Sequence, residues 1–146
     1  MRVFVTRVFA RFARKERLDD ERLYEAIKRA EQGVVDADLG GNLIKQRVAR
    51  LGQGKRGGYR TVIAYRTAQR SVFLYGFAKS ERENIDEREL DDLKKLARHY
   101  LSYNDGQIAK ALSETDLREL MWDDQEDDQE EEQGGQIPQP VVGRDP

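Results

Sequence analysis

The chain of 146 residues contains no cysteine. Disulfides, thiolate nucleophiles and cysteine-based zinc sites are thereby excluded, and a reducing cytoplasmic setting is compatible with that composition. A single histidine, His99, rules out multi-histidine metal motifs. No run approaches the roughly 18 apolar residues that a membrane helix needs. At the N-terminus, Arg2 and Arg7 interrupt the sequence before an apolar signal core can form. The expectation is a soluble, cytoplasmic protein with no membrane partner and no metal or organic cofactor.

Acidic residues are scarce in one long window. From Asn42 to Arg82 the basic residues are Lys45, Arg47, Arg50, Lys55, Arg56, Arg60, Arg66, Arg70, Lys79 and Arg82, while Glu81 is the sole acid, a local net charge of +9. Between Asp123 and Glu132 the balance reverses, with eight carboxylates and no base. The overall charge of −2 hides this segregation. Halves of opposite sign point to a polyanion-binding body that carries an acidic tail.

Periodicity supplies the rest of the organisation. Val3 to Thr6 reads as a short strand, Arg7 to Glu16 as a helix, and Asp20 to Gln32 as a second helix with Leu23, Ala26, Ile27 and Ala30 on one face. Leu43, Ile44 and Val48 mark a strand, and 52–58 is a glycine-rich loop. Tyr59 to Arg66 and Ser71 to Phe77 follow as strands, the second a continuous apolar run suited to burial on both faces. Asp86 with Glu89 is an N-cap signature for a helix carrying Leu90, Leu93 and Ala97, and a shorter helix fits Gly106 to Leu112. The order β-α-α-β-β-β-α describes an α+β domain. An antiparallel meander would carry two N-terminal helices on one face and a C-terminal helix at one edge. The domain is expected over 1–112, followed by an extension over 113–122 and a disordered acidic tail over 123–146 that buries too little apolar surface to fold.

Gly52, Gly54 and Gly57 satisfy G-x-G-x-x-G, but the loop feeds a strand, whereas a dinucleotide fingerprint must open a helix. A polyanion contact fits better, since glycines admit close backbone approach to phosphate and Lys55 and Arg56 supply charge. The bland alternative is a solvated basic hairpin. An ordinary surface would intersperse acids, which this window lacks.

Three segments at these intervals resemble the HigB-like toxins of the RelE/ParE superfamily. They are Gly40-Gly41-Asn42-Leu43-Ile44-Lys45-Gln46-Arg47-Val48-Ala49, Gly54-Lys55-Arg56-Gly57-Gly58-Tyr59-Arg60, and Tyr75-Gly76-Phe77-Ala78-Lys79-Ser80-Glu81. The resemblance implies a microbial-RNase-like fold that enters the ribosomal A site and cuts translated mRNA, in a type II toxin-antitoxin system. It implies mRNA and the ribosome as partners, together with a cognate helix-turn-helix antitoxin through which operator DNA is reached. By position, Lys45 and Arg47 match the basic residues of the family's second strand. Arg60 matches the arginine opening the third, and Lys79 the lysine after the last. Many RelE members carry a further arginine directly after that lysine and a tyrosine a few residues on; here those places hold Ser80 and Asp86, which leaves the general acid unassigned.

Metal-independent RNA cleavage needs a base for the 2′-hydroxyl, cations for the pentavalent phosphate and an acid for the leaving 5′-oxygen. Arg47, Arg60 and Arg56 are the cation candidates, because a guanidinium offers forked donors and keeps its proton. Lys79 or Lys45 serves as base only if neighbouring positive charge lowers its pKa well below about 10.4. Glu81 is the alternative base, or else a salt-bridge partner of Arg82 or Lys79. Lys55, Arg56, Tyr59 and Arg82 are the expected RNA contacts, with Tyr59 stacking on a base, while His99 reads as a boundary residue away from the site. Two further classes compete with the endoribonuclease. One is a non-catalytic inhibitor that docks on DNA gyrase as ParE toxins do, and the other is a nucleic-acid-binding module without cutting activity.

Overall fold

The computed structural model describes residues 1–49, 58–82 and 84–121. Residues 50–57, which hold all of the glycine-rich loop but Gly58 and include Lys55 and Arg56, lie outside the described residues, as do Trp122 and the acidic tail.

Strand β1 (Arg2–Thr6) runs straight into helix α1 (Arg7–Glu16), the turn being set by Thr6, whose hydroxyl accepts from Phe9 N at 3.1 Å as an N-cap. Arg17, in the left-handed region at φ 60°, ends that helix, and Asp19 caps α2 (Asp20–Glu31) through Arg22 N. Four strands follow: β2 (Ala37–Gly40), β3 (Leu43–Val48), β4 (Tyr59–Arg66) and β5 (Arg70–Ala78). Asp86 and Glu89 form the anticipated reciprocal capping box that opens α3 (Glu87–Leu101). Asn104 and Gln107 do the same for α4 (Asp105–Ser113), and β6 (Leu117–Glu119) ends the described chain.

All six strands share one sheet in the order β2-β3-β4-β5-β1-β6. β1 is parallel to β5 and every other pairing is antiparallel. The protein is therefore α+β with a mostly antiparallel sheet. One apolar core lies between the sheet and α1 and α2, with Phe9, Leu23, Ile27, Ile63 and Phe73 among its residues. A second core joins Leu43, Val62, Ala64, Val72 and Leu74 to Leu93, Ala97 and Leu101 of α3 and to Ile108 and Ala111 of α4.

Two expectations change. Helix α3 lies across the face opposite α1 and α2, where its Leu93-Ala97-Leu101 stripe covers the centre of the sheet; it does not sit at an edge. The sheet continues past residue 112, because Leu117–Glu119 form a sixth strand within what the sequence suggested was an extension. β6 pairs with β1, and Leu117 and Leu120 are buried. Arg2 fastens this outer strand with two 2.9 Å hydrogen bonds to Glu119, and those bonds hold the Glu119 carboxyl below its ordinary value.

Candidate nucleic-acid interface

The Lys45-Gln46-Arg47 segment shows how a strand divides its work between two faces. Gln46 is fully buried on the α2 side, where its amide nitrogen donates to Ala26 O at 2.9 Å and Val34 O at 3.0 Å. Its amide oxygen accepts from Asp36 N at 2.8 Å. A satisfied buried amide of this kind pins the register of β3. Ile44 and Val48 share that face and belong to the α1/α2 core. Alternation then projects Lys45 and Arg47 to the opposite face, the one that Leu43 shares with α3.

Register completes the surface. Arg47 stands directly opposite Arg60, and Lys45 opposite Val62. Arg60 in turn stands opposite Phe77, and Val62 opposite Tyr75. The ladder shifts between Val62 and Ile63, so Leu74 is an extra residue in β5. Leu74 and Tyr75 consequently both pack on the α3 side. Gly76 points the other way. A Cβ there would meet Phe12 Cε2 at 2.5 Å, so only glycine lets α1 lie this close to β5.

Lys45, Arg47 and Arg60 thus share one face at one end of the sheet, beyond the start of α3. Lys79 is exposed just past β5, and its backbone N–H donates to Gly58 O at 3.3 Å beside the beginning of β4. Lys45 Nζ donates to Asn84 Oδ1 at 3.2 Å. Arg47 has a side chain 62% exposed and a loose ion pair with Asp36 at 3.7 Å. Among the described residues the Arg60 guanidinium has neither an ion pair nor a hydrogen bond.

Other expected residues are placed elsewhere. Tyr59 is 1% exposed; its hydroxyl donates to Glu16 at 2.8 Å and its ring meets Phe12 edge-on at 5.6 Å. It belongs to the core beneath the site and offers no face to a base, so the stacking expectation is corrected. On the cationic face Phe77, opposite Arg60, is buried, and Tyr75, which the apolar run of β5 concealed, is the part-exposed aromatic; its hydroxyl accepts from Arg82 at 3.3 Å. Arg82 is committed to structure. Its guanidinium makes hydrogen bonds of 2.5 and 3.1 Å to Glu89 and one of 2.9 Å to Asn84 O, and it lies over the Phe77 ring. These contacts strap the turn after β5 to the first turn of α3. The partner of Arg82 is therefore Glu89 and not Glu81, and hydrogen bonding from Arg82 lowers the Glu89 carboxyl. Among the described residues Glu81 makes no ion pair.

Two members of the basic window lie at the opposite end of the sheet. Arg66 donates to Leu101 O at 3.3 Å, and Arg70 to Tyr100 O and Tyr103 O at 2.9 Å each. They cap the C-terminus of α3, where carbonyls lack helical partners. His99 lies at that same end, bonded to the Tyr103 hydroxyl at 2.9 Å.

No helix among the described residues is long and apolar enough to cross a membrane. Comparison with curated proteins gives no match. Comparison with protein families matches residues 1–120 to the family described as the RelE toxin of the RelE / RelB toxin-antitoxin system. That span runs from β1 through the last residue of the core, Leu120, and includes the whole cationic face. The chain belongs to the RelE toxin family.

Proposed function

We propose that the protein is a HigB-like member of this family, a ribosome-dependent endoribonuclease that inhibits translation by cutting mRNA in the A site without a metal. Arg47 opposite Arg60 carries the reading. Like charges placed directly across a ladder are destabilising, and the pair becomes favourable when an anion lies between its two forks. A phosphodiester moving toward a pentavalent phosphorane gains negative charge at that position, so the pair would bind the transition state more strongly than the ground state.

Lys45, steadied by Asn84, would hold a non-bridging oxygen of the same phosphate. Lys79, exposed at the rim, is the proposed carrier of the proton, and Tyr75 offers a ring for the base next to the scissile bond. Cytoplasmic action on mRNA and the ribosome, and neutralisation by a helix-turn-helix antitoxin that reaches the operator, complete the proposal. Lys55 and Arg56 enter it as RNA contacts on the strength of the sequence alone.

The experiment is inducible expression with mapping of mRNA 5′-ends, in the wild type and in Arg60→Ala and Lys79→Ala. Translation-dependent cuts that disappear in both variants support the reading. Growth arrest with intact mRNA and damaged DNA would replace it with gyrase docking, and RNA binding without cuts would replace it with a binding module.

A further inference from the structure

A cleft of about 370 Å³ opens at the same end of the sheet, around the corner from the cationic face. Arg22, Glu25 and Arg29 of α2 line one wall, and Arg47, Arg60 and Gly58 line the other. Arg22, Glu25 and Arg29 recur at i, i+3 and i+7, which sets them on one stripe of α2. Four arginines therefore face one glutamate across a space that opens to solvent.

Their existing bonds leave donors to spare. Arg22 is held by an ion pair with Asp19 at 3.7 Å, and its Nε has no hydrogen-bond partner. Arg29 donates to Arg47 O and has no acidic partner among the described residues. A buried donor without a partner needs an explanation, and so does a run of guanidinium groups with so few counter-charges. An RNA phosphate supplies the acceptors and the charge together.

We infer that this cleft is a second phosphate subsite, in which Arg22 and Arg29 take the backbone phosphate adjacent to the scissile one. The inference rests on the endoribonuclease reading for the position of the scissile phosphate, at Arg47 and Arg60. Because those two arginines line both surfaces, a strand crossing the sheet end has a continuous cationic path from the cationic face to α2. The subsite supplies binding and register. Chemistry stays at the sheet, so its loss should raise KM and leave kcat in place.

The test uses the full chain with Arg22→Gln and Arg29→Gln, singly and together, and with Arg22→Lys as the conservative control. Binding to a short single-stranded RNA carrying a 2′-deoxy group at the cut site is measured at several salt concentrations, and cutting is measured on programmed ribosomes. The double variant is expected to bind the oligonucleotide at least about tenfold more weakly. Its salt slope should be shallower by about 0.7 for each lost phosphate contact. KM should rise with kcat kept within about twofold, and Arg22→Lys should restore most of the affinity.

Unchanged oligonucleotide affinity and salt slope in a double variant that melts like the wild type would overturn the inference while cutting by the wild type still stands. Weaker ribosome binding with unchanged oligonucleotide affinity would also overturn it, by assigning the cleft to ribosomal RNA. A fall in kcat alone would overturn it too, since Arg29 would then act by positioning Arg47. A wild type that fails to cut, with double variants that still lose RNA affinity and salt slope, would remove the endoribonuclease reading and keep the cleft as an RNA-phosphate site.

Discussion

At one end of the sheet, Arg66 and Arg70 spend their guanidinium groups on the carbonyls of Tyr100, Leu101 and Tyr103. At the other, Arg47 and Arg60 face each other, and Arg60 has no partner among the described residues. Composition treats the two pairs alike, as members of one basic window. The difference is what each fork meets. Where arginine meets a helix C-terminus, its charge completes the fold. Where arginine meets arginine, the fold carries a cost that a bound anion would remove. Burial pulls the Arg70 guanidinium down from its ordinary value, with Asp105 acting against that shift.

Substitutions at the two ends should therefore separate activity from stability. Arg60→Ala should lower kcat about 10²–10³-fold, as loss of one preorganised donor typically does, and leave the urea midpoint unchanged or slightly higher. Single-turnover cutting on programmed ribosomes together with equilibrium unfolding reads both. The next effect is structural. Gln46→Leu would strand Ala26 O, Val34 O and Asp36 N, costing about 3 kcal/mol in unfolding free energy. Its urea midpoint should fall, and residual activity should fall with it as β3 loses its register.

Arg70→Ala should cost about 2 kcal/mol, because two charge-assisted bonds to the end of α3 disappear. Cutting measured well below the melting temperature should stay within about twofold of wild type. Activity loss equal to that of Arg60→Ala would erase the contrast between the two ends.

The smallest effect concerns pH. The folded Glu89 carboxyl lies below its ordinary value of 4.5, chiefly through its hydrogen bonds from Arg82 and then through the backbone bond at Asp86. A group depressed on folding stabilises the protein above its unfolded value, and that contribution is lost as pH falls through the folded value. Stability of the wild type should thus drop more steeply below about pH 4.5 than that of Glu89→Gln. Melting curves at pH 6 and pH 3.5 would show whether the two profiles converge in acid.

Local signals gave the helices and long strands. Thr6, Asp19 and Asp86 each cap the helix that the periodicity places after them, and β4 spans Tyr59–Arg66 as read. Long-range facts were hidden. β2 and β6 are four and three residues long, too short to show a period, and they exist because β3 and β1 offer edges to pair with. The extra residue in β5 breaks simple alternation, so the sequence could not assign Tyr75 to the cationic face. Tyr59 resembled a site residue because it adjoins Arg60, yet alternation turns it inward to Glu16 and Phe12. Arg22 and Arg29 lie off the apolar face of α2, and their sequence positions carry no functional signal. Only the packing of α2 against β3 reveals that this side borders the site.

The place of β1 has a consequence for synthesis. Of the described strands β1 is synthesised first, and it needs β5 on one side, whose paired residues begin at Arg70, and β6 on the other, at Leu117–Glu119. The β3-β4-β5 meander needs only its own neighbours in sequence and can close while translation continues. Residues 2–6 stay unpaired until β5 has emerged, and are paired on one side only until β6 follows. Full pairing of β1 is thereby tied to synthesis of the last described strand, on a message of the class that the protein is proposed to cut.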